Sequence, residues 1–158
     1  MKYQSVGEYF YKMYSVLFLY LLIPMLALGG VYWANRYFLS IDPASRDLIL
    51  GALITVVVLD WLMAWVWFNQ AVKGLLTLVS LGERLQRYFK LMLIRFSIFA
   101  VGLFMLVAAY AISGNRLAAL AFGLHLVLAL LIWPFPSRVV QHLKLKGNER
   151  ELVLGTIQ

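Results

Sequence analysis

Polar and apolar positions along this chain do not trade places with the period of a strand or of an ordinary half-buried helix. The apolar residues run on, and the polar ones gather at a few breaks. About 20 mostly apolar residues are needed to carry a helix through roughly 30 Å of hydrocarbon. Four stretches qualify or nearly so: residues 13–34, 48–68, 91–112 and, shortest, 117–135. The first is too long for the apolar region of a cleaved signal (about 7–15 residues), and Tyr32, Trp33, Tyr37 and Phe38 follow it directly, so it reads as a retained span.

The breaks carry start and stop signals. Ser5 with Glu8, and Ser80 with Glu83, fit the S-x-x-E capping box, in which a hydroxyl and a carboxylate satisfy the free N–H groups of a helix start. The first and third helices should therefore begin near residues 5 and 80, ahead of the lipid. Asp42-Pro43 reads as the N-cap and first residue of the second helix. Ser113-Gly114-Asn115 forms a tight turn between the third and fourth helices, and Pro134 and Pro136 break the fourth. Residues 137–145 then read as a short amphipathic helix, with Val139, Val140 and Leu143 among Arg138, His142 and Lys144; Gly147 stops it, and Asn148 with Glu151 caps a final turn. The expected architecture is all-α: an antiparallel bundle of four transmembrane helices over residues 1–135, with crossings near +20°, and an amphipathic cytoplasmic tail over residues 136–158.

Composition agrees. The chain is 63% hydrophobic and 13% charged, against about 45–50% and 25% in soluble proteins; only lipid can solvate so much apolar surface. The absence of cysteine excludes disulfides, thiol catalysis and Cys-ligated zinc or iron–sulfur centres. A net charge of +7 suggests nucleic acid until the cations are placed, because they flank the apolar runs. Lys2, Lys12, Lys73, Arg84, Arg87, Lys90, Arg95, Arg138, Lys144, Lys146 and Arg150 fall on one side, and only Arg36, Arg46 and Arg116 on the other. By the positive-inside rule both termini lie in the cytoplasm. Aromatic belts follow the same division: Tyr9, Tyr11, Tyr14, Trp65, Trp67, Tyr88 and Trp133 inside, Tyr32, Trp33, Tyr37 and Tyr110 outside. The expected partners are anionic headgroups on the cytoplasmic side, met by Arg84, Arg87, Lys90, Arg138, Lys144 and Lys146, and other membrane subunits or a second copy of the chain. No nucleic acid is expected.

Three ionisable side chains fall within spans. Asp60 is near the middle of the second, sharing a helical face with Leu53, Val56, Val57, Ala64 and Trp67, so its partner must come from another helix. His125 lies at a similar depth, on a face with Ala118, Ala121 and Ala129 that permits close helix approach. Arg95, about 6 Å into the third span, shares a face with Gly102, Ala109 and Ser113; it can reach Asp60 or extend back to water. Two readings of Asp60, His125 and Arg95 stay open: a proton or ion relay, or an interhelical polar clamp that carries nothing.

No H-E-x-x-H, phosphate-binding loop, G-x-S-x-G or dinucleotide fingerprint occurs, and Asp60 is the only carboxylate within a span. Neither an enzyme nor a bound cofactor is expected. The run Leu85-Gln86-Arg87-Tyr88 through Arg95, the Ser113-Gly114-Asn115 turn, and Leu143-Lys144-Leu145 ahead of Asn148-Glu149-Arg150-Glu151 together resemble small four-span bacterial inner-membrane proteins that are themselves uncharacterised. The resemblance covers roughly the C-terminal half. It implies the topology and the bacterial inner membrane, and no activity. The resulting expectation is a non-enzymatic accessory or scaffold subunit of a membrane complex or homo-oligomer; the alternative is a small proton- or cation-coupled channel or transporter using Asp60 and His125.

Overall fold

The computed structural model describes residues 5–34 and 42–155, apart from the side chains of Pro43, Ala44 and Arg46. Lys2, Arg36 and Tyr37, which entered the charge and aromatic tallies, Phe38, which follows the first span, and the last three residues of the tail lie outside the described residues, as does the Arg46 side chain. The fold is all-helical, 87% helix, with no strand among the described residues. Four longer helices come first: α1 (Val6–Trp33), α2 (Pro43–Leu75), α3 (Leu81–Ser113) and α4 (Arg116–Leu131). Two short ones follow, α5 (Pro136–His142) and α6 (Gly147–Leu154).

Three helices, α1, α2 and α3, are long and apolar enough to cross a membrane; α4 and α5 add a fourth crossing if the two count as one broken span, bent by 71°. The break expected at Pro134 and Pro136 comes earlier than the span's expected end at residue 135: α4 stops at Leu131. Pro134 and Pro136 supply no N–H to a continuing helix and disfavour helical backbone in the residues before them, so α4 ends and α5 restarts with Pro136 in its first turn. The bend is pinned to α1: the Tyr14 hydroxyl donates to the Pro134 carbonyl at 3.2 Å, and its ring packs against Trp133.

α3 is the axis of the molecule and packs against α1, α2 and α4, whereas α2 and α4 touch each other only sparingly. Half of α3's most apolar segment is buried, against 17% for α1 and α2. The outward faces carry Phe18 and Leu26, Leu59 and Met63, Leu120 and Leu124, all exposed. A continuous apolar surface of this extent is far more than a soluble monomer shows.

Local signals set most helix ends. Ser5 caps α1 by accepting from the Glu8 N–H at 3.1 Å, and Asp42 caps α2 by accepting from the Ser45 N–H at 3.3 Å, with Pro43 as first helical residue. At α3 the expected box does not close: Ser80 is the N-cap but makes no side-chain cap bond, and Glu83 instead pairs with Arg87 at 2.8 Å. The α3–α4 turn needs Gly114 at φ +60° and Asn115, whose side chain accepts from the Leu117 N–H at 2.9 Å.

The tail departs from expectation. Its first helix stops at His142, short of the expected residue 145; the expected final turn is an eight-residue helix, and Gly147, read as a stop, begins it with φ +51°. Val139, Leu143, Leu145 and Val153 are buried in the main core together with Phe68, Leu75, Leu85 and Tyr88. Helices α2 and α3 run well past their apolar stretches and build a protein wall there, so the apolar face of the tail meets protein and not lipid. Arg84 of α3 reinforces the docking through a 2.6 Å ion pair with Glu149 of α6.

Candidate functional site: a cationic groove between α2 and α4

The three span residues singled out in the sequence do not form one cluster. Along α2 the buried line is Leu50, Val57, Ala64, Phe68, Val72 and Leu75. At 3.6 residues per turn, Asp60 lies about 60° to one side of Val57, while Trp61, Ile54 and Val58 lie about 40–100° to the other. The second side faces α4: Ile54, Val58 and Trp61 line an apolar slot with Leu124, His125 and Leu128. Asp60, half-buried, makes no hydrogen bond or ion pair among the described residues. It faces away from His125 and from Arg95.

His125 faces protein, as its alanine-lined face predicts. It is 4% exposed, and Ala118 and Ala129 are fully buried beside it. Its Nε2 bonds the Phe99 carbonyl at 3.3 Å. A carbonyl only accepts, so Nε2 carries the proton. The ring lies 5.0 Å from the Phe99 ring centre and directly over Gly102, where a Cβ would fall 3.1 Å from Nε2 and 3.2 Å from Cε1. The glycine is what lets α3 and α4 approach closely enough for the imidazole to fit.

Arg95 reaches neither Asp60 nor open water. It is 4% exposed, with its guanidinium carbon 4.2 Å from the centre of the Phe68 ring and 5.6 Å from that of Trp65. It donates no hydrogen bond to protein among the described residues, and its Nε is buried without an acceptor. Cation–π contact contributes about 0.5–2 kcal/mol, whereas leaving a buried charge unpaired costs several. The environment is short of an anion.

Arg95 forms the floor of a groove of about 440 Å³ between α2 and α4, closed at one end by α5. Trp61, Trp65 and Asn69 line it from α2, Leu128 and Leu131 from α4, and Arg138, Gln141 and His142 from α5. Arg138 braces the bend by donating from Nη1 to the Leu131 and Trp133 carbonyls, and its Nη2 and Nε have no protein acceptor among the described residues. His142 is held by Tyr88, hydroxyl to Nδ1 at 2.9 Å, with its ring edge-on to Phe68. Among the described residues neither a carboxylate nor a lysine lines the groove. Trp61 and Leu128 also line the apolar slot beside His125, so the polar and apolar compartments are neighbours that share these two side chains.

The other basic positions divide. Arg84 is engaged by Glu149, and Arg87 by Glu83. Lys90 is exposed and flanks a shallow depression with Arg87 on the opposite side of α2 from the groove. Lys144 and Lys146 are exposed in the α5–α6 connection. Among the described residues no three His, Asp or Glu side chains come together as a metal ion would require. Sequence reasoning missed the aromatic wall. Trp61, Trp65, Phe68 and Asn69 recur at i, i+4, i+7 and i+8 on one face of α2, which was the available signal, but a belt of tryptophans at a span end has the same appearance. No protein-family model, curated protein or solved structure matches the chain.

Proposed function

We propose that this chain is a non-enzymatic multi-pass protein of a bacterial inner membrane, an antiparallel bundle crossing four times with both termini in the cytoplasm. Its role is that of an accessory or scaffold subunit, packed against another membrane protein or a second copy of itself. The observation that carries this reading is Asp60. A carboxylate at mid-span costs about 2.5–3.5 kcal/mol on the translocon scale and is tolerated where it meets a partner or water. Its own bundle provides no partner among the described residues, and its flank of α2 also carries the exposed Val56 and Trp67. A helix from another chain, presenting a donor at that depth, completes the site.

The test is assembly. In a mild detergent extract of native membranes the full chain should migrate as a particle larger than one chain, and Asp60→Leu should release it as a monomer with its fold intact. A wild-type chain that runs as a monomer with nothing bound overturns the reading. A proton path through Asp60 and His125 has less to support it, because the two lie on opposite flanks of α2's buried line.

A further inference from the structure

The geometry points to a binding site for one anionic phospholipid in the α2–α4 groove, with its phosphate held between Arg95 and Arg138 and an acyl chain in the slot beside Leu128. This site is separate from the Asp60 flank and stands whether or not the chain assembles with others.

Three observations carry it. First, the groove presents donors without acceptors to match. Among the described residues the buried Arg95 guanidinium is unbonded and Arg138 has two nitrogens without an acceptor; Trp61, which lines the groove, has a buried indole N–H that is likewise unmatched there. Phosphate oxygens, which only accept and carry charge, complement that set, and guanidinium–phosphate bonds are charge-assisted and strong. Second, two cations face one cavity with no carboxylate lining it among the described residues. Their mutual repulsion in a low-dielectric setting is relieved by an anion between them. Third, the groove has an apolar neighbour. Trp61 and Leu128 line both it and an apolar slot between the same two helices, which barely touch. A free phosphate ion would leave that slot empty, whereas a diacyl phospholipid fills both compartments. The groove's volume of about 440 Å³ accommodates a headgroup and the first part of a chain.

The full chain, purified in mild detergent and stripped of lipid, is titrated in separate arms with phosphatidylglycerol, with phosphatidylcholine of matched chains and with sodium phosphate. Native mass spectrometry and thermal unfolding are the readouts. Phosphatidylglycerol should bind saturably, one per chain, and raise the melting temperature. Phosphatidylcholine should bind at least about tenfold more weakly, a difference of about 1.4 kcal/mol, and phosphate should have no effect at the same concentration. Arg95→Gln and Arg138→Gln should each weaken phosphatidylglycerol at least about tenfold, while Arg87→Gln, on the far side of α2, leaves it unchanged. Leu128→Trp, which keeps both arginines but fills the slot, should also weaken it. In lipid-free protein Arg95→Gln should melt at or above the wild-type temperature, because it removes an unmatched charge; a purely structural arginine would give the reverse. Equal binding of the two phospholipids, an equal effect of phosphate alone, or an affinity insensitive to Arg95→Gln and Leu128→Trp overturns the proposal.

Discussion

The contact between Gly102 and His125 gives a mutation whose sign depends on its neighbour. Replacing glycine by alanine inside a helix ordinarily gains up to about 1 kcal/mol, because alanine loses less backbone freedom. At position 102 the added methyl would meet His125 Nε2 at 3.1 Å and Cε1 at 3.2 Å, with Val57 Cγ1 behind it at 3.7 Å. The imidazole must retreat by a few tenths of an ångström. It has little room, being 4% exposed and stacked against Phe99 at 5.0 Å, and its bond to the Phe99 carbonyl is already long at 3.3 Å. Overpacking of this kind costs about 1–3 kcal/mol, which exceeds the propensity gain, so Gly102→Ala should destabilise by about 1 kcal/mol net. In a His125→Ala background the obstruction is gone, and the same substitution should be neutral or stabilising by up to about 1 kcal/mol. The four proteins of this double-mutant cycle are compared by reversible unfolding of the reconstituted chain in mixed micelles with increasing dodecyl sulfate. A coupling of about 1–2 kcal/mol is expected, within the range for residues in contact. Equal effects of Gly102→Ala in both backgrounds would refute the close approach of α3 and α4 and, with it, the burial of the imidazole.

Other substitutions probe the tail, the turn and the flank of α2. Since the chain has no native cysteine, single-cysteine reporters are clean: Leu143→Cys, 1% exposed, should resist a water-soluble thiol reagent that readily labels Leu152→Cys, 57% exposed; equal labelling would show that the tail does not dock. Tyr88→Phe removes the bond to His142 Nδ1 and should cost about 1 kcal/mol in the same unfolding assay. Gly114→Ala forces a Cβ into left-handed backbone at φ +60° and should cost about 1–2 kcal/mol, whereas the same change at Gly51, with open space around it, should not destabilise. Asp60→Asn should leave the proton permeability of proteoliposomes unchanged; a loss of flux would establish the relay in place of the scaffold.

The helices, several of their ends, and the length and apolarity that fit them to cross a membrane were legible from the chain because their causes are local. The insertion of residues 13–34, 48–68 and 91–112 depends on summed apolar transfer, which needs no knowledge of neighbours. The Asp42-Pro43 start and the Ser113-Gly114-Asn115 turn involve groups within three residues of one another. The burial of His125 was also legible, since small residues on its face announce a close helix. The carboxylate half of the Ser80 box failed for a local reason as well: Glu83 has a competing cation one turn away in Arg87.

What periodicity cannot supply is the rotation of one helix against the next. Asp60 and Trp61 are adjacent in sequence and about 100° apart around α2, so a small difference in how α2 seats on α3 decides which of them meets α4. Sequence depth alone placed Asp60, His125 and Arg95 at levels where they could meet, and tertiary packing sent them to three separate environments: a lone flank, a glycine-backed pocket, and an aromatic wall. The same holds for the tail. Its amphipathic pattern specifies that one face must be covered, but a lipid surface and a protein wall satisfy that pattern equally. The choice fell to the extensions of α2 and α3, which bring Phe68, Leu75, Leu85 and Tyr88 to where Val139 and Leu143 can bury against them.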